Sequence, residues 1–358
     1  MSAENLTSQE RILIEPVKID KKSFFGKPIV WFQLIIFLAG LGLLFYVLYN
    51  VGFKTLSETL SRVGWGILLI IALNGVRHVL RAAAMYLIVP PQHRLFKFQQ
   101  VLAARLGGEA VSFVTFTGPF LGEATKAALL KGDIPMSKSS AAIIVDNLLY
   151  YISVIIIVLV GVGAMAMAFH NDDSMNKALI VVSILSVLAF IGLLLMLWYR
   201  FKPVGFVIRR LMKYDVLPKF LDRKKEGIFN LEETVYEFYL HHKATFFAVF
   251  GINFIAHAMS VLEVLLALKL LGFTSSVMIA FIIESLTKVI NLTFSFIPGA
   301  VGVYEGGNGV ILKTLGYATA TGVALALVRR GAILFWTLIG IIILLWRAAR
   351  HGKQTLKR

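Results

Sequence analysis

Long apolar runs alternate with short polar interruptions along most of this chain. Runs near or above the roughly 20 residues that a spanning helix needs occupy Pro28–Tyr49, Val63–Val89, Ser140–Phe169, Ala178–Tyr199, Ala244–Leu271 and Ala318–Trp346. Each reads as a membrane-crossing helix. Two further runs, Leu106–Leu130 and Val277–Leu315, are apolar but broken. The first carries Gly107, Gly108, Gly118, Pro119 and Gly122, and the second carries Pro298, Gly299 and Gly302. Glycine and proline at this density interrupt a helix. One long polar segment, 200–243, has Val204, Val207, Ile208 and Leu211 at amphipathic spacing, which suits helices lying at the bilayer surface.

Composition agrees with this pattern. Of 358 residues, 58% are hydrophobic and 16% charged, too little charge to cover a soluble domain. The expectation is an all-α polytopic membrane protein of about eight helical elements. Residues 28–346 form the membrane domain, between an N-terminal tail, 1–27, and a C-terminal tail, 347–358. The polar leader precedes an apolar run too long for a signal-peptide core, so that run reads as a retained anchor. The absence of cysteine rules out disulfides and thiolate metal sites.

Charge sets the topology. The net charge of +16 would suggest nucleic acid in a soluble protein. Here the basic residues gather at the ends of apolar runs, so topology and anionic headgroups account for them and no nucleic-acid partner is expected. The positive-inside rule puts the N-tail, the 200–243 segment and the C-tail in the cytoplasm, and the 170–177 loop outside. Each broken run must then return to the face it entered from, which gives two re-entrant hairpins dipping from opposite sides.

Such an arrangement predicts an inverted repeat. Asn74 and His78 precede the first hairpin as Asn253 and His257 precede the second. Gly118-Pro119 through Glu123 matches Pro298-Gly299 through Glu305, and Asp146 matches Arg329. Ionisable residues inside apolar runs are costly and persist when paired, hydrated or functional. Arg77, Arg81, Glu123, Lys126, Asp146, Glu305, Arg329 and Arg330 are therefore candidate substrate-binding residues. Gly118, Pro119, Gly122, Pro298, Gly299 and Gly302 are the structural residues of the hairpins. Arg77 and Arg81 share a helix face. They either clamp an anion or pair with Glu109 or Glu123. Glu305 is the natural partner of Arg329–Arg330, and Glu284–Lys288 reads as a structural pair. Glu123 and Glu305 are placed to open half-helices, as caps or as headgroup gates. His78 and His257 fit packing or hydrogen bonding.

Enzyme signatures are missing. There is no nucleotide loop, no Gly-x-Ser-x-Gly, no His-Glu-x-x-His and no metal spacing among seven histidines. No catalytic residue, metal or cofactor is expected.

The stretch Gly118-Pro119-Phe120-Leu121-Gly122-Glu123-Ala124-Thr125-Lys126 through Leu130 resembles the P-x-x-x-G-E-x-x-R-x-x-L-L segment of the lysylphosphatidylglycerol synthase transmembrane-region, or flippase-like, family. Pro298-Gly299-Ala300-Val301-Gly302-Val303-Tyr304-Glu305 resembles its P-G-G-x-G-x-x-E signature. Lys126 stands where that family has Arg, and Ala300 where it has Gly. The resemblance covers Pro28 to Trp346. It implies a helical bundle with re-entrant hairpins that moves or handles lipid across the bacterial inner membrane. It also implies a stand-alone member, since the chain ends at Arg358 with no aminoacyl-transferase domain. Three functions stay open: a lipid flippase for a phospholipid, hopanoid or polyprenyl-linked lipid, a scaffold for a lipid-synthesis enzyme, and an enzyme acting on a lipid phosphate. The expected partners are membrane lipids, anionic or phosphate-bearing, and a lipid-synthesis enzyme for the scaffold.

Overall fold

A computed structural model describes residues 38, 42–89, 97–115, 118–130, 136–168, 173–214, 218, 222 and 225–355. The tail 1–27, the start of the first span at Pro28, and Asp172 lie outside the described residues.

Thirteen α-helices are present among the described residues, more than the eight or so elements expected, because each hairpin contributes two helices, the polar segment adds two more, and a short helix, Phe53–Ser61, follows the first span. They are α1 Gly42–Val51, α2 Phe53–Ser61, α3 Ile67–Ile88, α4 Phe98–Val114, α5 Gly118–Leu130, α6 Met136–Ala168, α7 Asp173–Trp198, α8 Pro203–Lys213, α9 Lys225–His241, α10 Lys243–Leu270, α11 Val277–Thr293, α12 Val303–Thr314 and α13 Thr319–Thr355. Five helical stretches, Gly64–Ile88, Lys138–Ala168, Asp173–Trp198, Lys243–Leu270 and Thr319–Ala349, are long and apolar enough to cross a membrane. Their Ile- and Val-rich sequences disfavour helix in water. In lipid every backbone polar group must be satisfied within the segment, which leaves helix as the available form.

The two broken runs become helix–break–helix units, α4/α5 and α11/α12. In the second unit the break holds a 3₁₀ turn, Pro298–Ala300, with Gly299 at φ 57° and Gly302 at φ 80°. These left-handed conformations suit glycine.

The packing has two-fold character. Helices α3 to α6 form one set and α10 to α13 the other. Within the sets, α3/α4, α4/α5, α5/α6 and α3/α6 pack together, and so do α10/α11, α11/α12, α12/α13 and α10/α13. Between the sets, α4 meets α13 as α11 meets α6, and α3 meets α10. Asn74 touches Glu263, Arg77 touches Ser260 and Arg81 touches Asn253. Sequence order reverses across these contacts, so α3 and α10 are antiparallel and the second set is inverted.

One pair of close approaches fixes the register. A Cβ on Gly161 of α6 would lie 2.2 Å from Ser285 of α11, and one on Gly340 of α13 would lie 2.2 Å from the Leu106 carbonyl oxygen of α4. The spacing is 179 residues in both partners (340 − 161 and 285 − 106). The Asn74/Asn253 and His78/His257 pairs keep the same spacing, as do the boundaries of α4 and α11. In the returning arms the match moves by three residues. Asn308 meets Thr287 where Lys126 lies over Gly108, so Glu123 and Glu305 correspond (305 − 123 = 182).

The polar segment forms α8 and α9. Pro203 opens α8, and the buried Glu232 carboxylate of α9 accepts from the Val204 and Gly205 amides at 2.9 Å. That caps the free N–H groups at the α8 start. Tyr236 of α9 donates to the Phe201 carbonyl, tying the unit to the end of α7.

Candidate functional site

Inside the bundle, charges form a connected network. On α3, Arg81 donates to Asp146 of α6 at 3.0 Å and to Asn253 of α10 at 2.5 Å, and its guanidinium lies 4.1 Å from the Tyr150 ring centre. Arg105 of α4 pairs with Glu109 at 2.9 Å and stands 4.0 Å from Asp146. Lys126 of α5 bridges Glu123 at 2.9 Å and Glu109 at 3.5 Å. Asp146 therefore sits between two arginines.

The second half contains the same construction with the signs reversed. Arg329 of α13 sits between Glu263 of α10 at 3.0 Å and Glu284 of α11 at 2.7 Å. Glu284 also pairs with Lys288 one turn on, at 2.8 Å. Arg105 and Glu109 become Glu284 and Lys288 after 179 residues (284 − 105 and 288 − 109). Arg–Asp–Arg in one half is answered by Glu–Arg–Glu in the other. The asparagines of the repeat join the two. Asn253 accepts from Arg81, and Asn74 donates to Glu263 at 3.4 Å. An amide carries both a donor and an acceptor, so one residue type serves either sign.

Arg330 pairs with the fully buried Glu305 and donates to the Gly299 carbonyl at 3.0 Å. Glu305 also accepts from the Gly302 amide at 2.9 Å, capping α12. Across the network stand seven cations (Arg77, Arg81, Arg105, Lys126, Lys288, Arg329, Arg330) and six carboxylates (Glu109, Glu123, Asp146, Glu263, Glu284, Glu305). The balance is one positive charge.

These charges border a cavity of about 330 Å³ lined by Arg77, Arg81, Arg105, Glu109, Glu123, Lys126, Glu284, Lys288 and Arg329, with Ser112, Asn147, Tyr151 and His257. A second cavity of about 310 Å³ shares Arg77, His78, Glu109, Ser112 and Pro119 with the first and reaches Arg330. Non-helical backbone lies beside both, as expected where it is buried in protein or lines a wet space.

All eight candidate residues enter this network, although several find other partners than the sequence suggested. Arg77 reaches Glu263 at 3.5 Å and Ser260 at 2.9 Å, and Arg81 reaches Asp146, so neither pairs with Glu109 or Glu123. Glu305 takes Arg330, while Arg329 turns to α10 and α11. Glu284 holds Lys288 as expected but is shared with Arg329. Glu123 does not open a half-helix, since α5 begins at Gly118; Glu305 does lie in the first turn of α12. The hairpin residues serve close approach. A Cβ on Gly122 would lie 2.7 Å from the Gly108 carbonyl oxygen, and one on Gly118 would lie 2.6 Å from that of Ser112. Pro119 lines the cavity and Pro298 is buried. His257 bonds Ser153 at 2.9 Å, and His78 packs on Trp336.

Arg105 is absent from the candidates drawn from the sequence, because it stands just outside the apolar run Leu106–Leu130. Its signal was available: Arg105 and Glu109 share the four-residue spacing of Glu284 and Lys288.

A model of the lysylphosphatidylglycerol synthase TM region matches residues 30–340. The chain belongs to this family. The family is a membrane domain associated with lipid handling, and the five apolar helices make this member a multi-pass membrane protein. No curated protein and no solved structure matches the chain.

Proposed function

We propose that the chain is a non-enzymatic lipid translocator of the bacterial inner membrane. The polar headgroup of a phospholipid, hopanoid or polyprenyl-linked lipid passes through the cavity while its hydrocarbon chains stay in the bilayer. The observation that carries this reading is the charged cavity between two broken hairpins of an inverted repeat, the place where transporters bind substrate. Such a path spares a headgroup the cost of crossing hydrocarbon, roughly 2.5–3.5 kcal/mol per charge on insertion scales. The excess positive charge suits an anionic or phosphate-bearing lipid. Both termini are assigned to the cytoplasm by the positive-inside rule.

The scaffold reading rests on a different observation. Helix α8 exposes Arg209 and Arg210 together with Phe206 and Val207, a face that could receive a lipid-synthesis enzyme. Reconstitution in vesicles separates the two. A fluorescent phospholipid in the inner leaflet should become accessible to an impermeant quencher faster with protein than without. If reconstituted protein leaves the rate at the protein-free value across phospholipid, hopanoid and polyprenyl-linked probes, translocation is wrong.

A further inference from the structure

The two triads of opposite sign differ in how completely they are satisfied. In the Glu263–Arg329–Glu284 triad, both oxygens of each carboxylate are bonded, and one guanidinium nitrogen, Arg329 Nη1, is left without an acceptor. Glu263 takes Arg329 on one and Asn74 and Arg77 on the other; Glu284 takes Lys288 and Arg329. In the Arg81–Asp146–Arg105 triad, donors are left over. Arg81 Nε and Arg105 Nε and Nη1 are buried without a hydrogen-bond acceptor, three donors against one idle acceptor, Asp146 Oδ1. Arg105 is 7% exposed and borders the cavity. A buried guanidinium with idle donors is costly unless something accepts from it.

Each carboxylate beside Arg105 has a second cation. Glu109 keeps Lys126, and Asp146 keeps Arg81 at shorter range than Arg105. Arg77 borders the same cavity, and its side chain is 26% exposed. Its 3.5 Å pair with Glu263 is replaceable, because Arg329 already holds that carboxylate at 3.0 Å.

From this we infer that the first triad is an anion subsite. Arg105 binds a phosphate group through its idle Nε or Nη1 donor, and Arg77 turns toward the anion to complete the site. A charge-assisted N–H bond from a guanidinium suits a phosphate oxygen. The second triad has no such role and is a structural clamp. This deepens the translocation reading, on which it depends for the lipid source of the phosphate but not for the site itself.

Ligand-dependent thermal stabilisation of the whole chain in detergent tests the assignment. The probes are short-chain phosphatidylglycerol, short-chain phosphatidylcholine and inorganic phosphate. Short-chain phosphatidylglycerol should stabilise the wild type, and Arg105→Gln should weaken its binding roughly tenfold or more, as loss of a charge-assisted bond implies. Arg105→Lys keeps the charge, replaces the Gln variant if that one fails to fold, and should bind less tightly than wild type. Gly161→Ala, whose added methyl meets Ser285 away from the cavity, should lower the melting temperature while leaving affinity per folded molecule unchanged. Stabilisation by inorganic phosphate alone, abolished by Arg105→Gln, upholds the anion site and sinks the lipid reading. Equal stabilisation of wild type and both Arg105 variants, or none of the wild type by any probe, overturns the anion site.

Discussion

Asp146 and Arg329 play the same part in the two halves with opposite charge, one helical turn apart in the register of Gly161 and Gly340: Asp146 is held by Arg81 and Arg105, and Arg329 by Glu263 and Glu284. Each triad crosslinks a long helix to two others through side chains, α6 to α3 and α4, and α13 to α10 and α11. Sign inversion leaves this crosslink intact, because an ion pair does not depend on which helix carries the cation.

The second triad should therefore dominate stability. Glu284→Gln leaves Arg329 and Lys288 short of a carboxylate in a buried site, and breaking a buried pair costs about 3–5 kcal/mol. Glu109→Gln should cost much less, since the Glu109 side chain is 40% exposed and hydration screens it. Chemical unfolding in detergent micelles should rank the two in that order. Equal losses would remove the distinction between clamp and cavity wall.

Much of the fold was legible in the sequence for a physical reason. The bilayer demands long apolar helices, and charge at their ends sets their direction, so spans and hairpins followed from hydropathy and Lys/Arg placement. The candidate charges were legible too, because an ionisable residue in an apolar run is conspicuous. Their partners were not. Arg77 and Glu263 are 186 residues apart, and nothing local tells Arg77 to choose Glu263 over Glu109. Arg105 escaped notice because it lies at the edge of its apolar run, where a basic residue looks like a topology signal. The register of the repeat was visible in Asn74/Asn253, but Gly161/Gly340 gained meaning only once the helices were packed.

Helix packing supplies a test free of charge effects. A Cβ at Gly340 would meet the backbone of Leu106, which cannot yield without moving α4. Gly340→Ala should destabilise by about 1–3 kcal/mol, the usual cost of overpacking. On α6, Gly163 has nothing within 4 Å of its ideal Cβ, while Gly161 abuts Ser285. Gly163→Ala should be neutral or stabilising by up to about 1 kcal/mol through helix propensity, and Gly161→Ala destabilising. Melting temperatures of the three variants check the pattern. A destabilised Gly163→Ala would mean that this face of α6 is covered.

Orientation can be read directly, since the native chain has no cysteine. Gly227 of α9 is exposed with open space around it, and Thr274 lies exposed between α10 and α11. Thr274→Cys should react with an impermeant thiol reagent added to intact cells, and Gly227→Cys only after permeabilisation. The reverse pattern would invert the assigned topology.

Glu123 and Glu305 correspond in the repeat but lie in different surroundings. Glu305 is fully buried, pairs with Arg330 and caps α12 through Gly302. Glu305→Gln keeps the volume and a weaker cap but leaves Arg330 unpaired beside the hairpin break, so the loss should appear first in folded protein. Glu123 borders the cavity, its side chain is 30% exposed, and its partner Lys126 retains Glu109 when it is neutralised. Glu123→Gln should therefore fold with a melting temperature near that of wild type. If Glu123 and Lys126 line the headgroup path, the variant's translocation rate per folded molecule should nonetheless change severalfold. The direction carries information. A faster rate for an anionic headgroup follows if Glu123 competes with it for Lys126, and a slower rate if the carboxylate is needed for release. Translocation by Glu123→Gln at the wild-type rate, measured at equal folded protein, would remove Glu123 from the path and leave it a surface partner of Lys126.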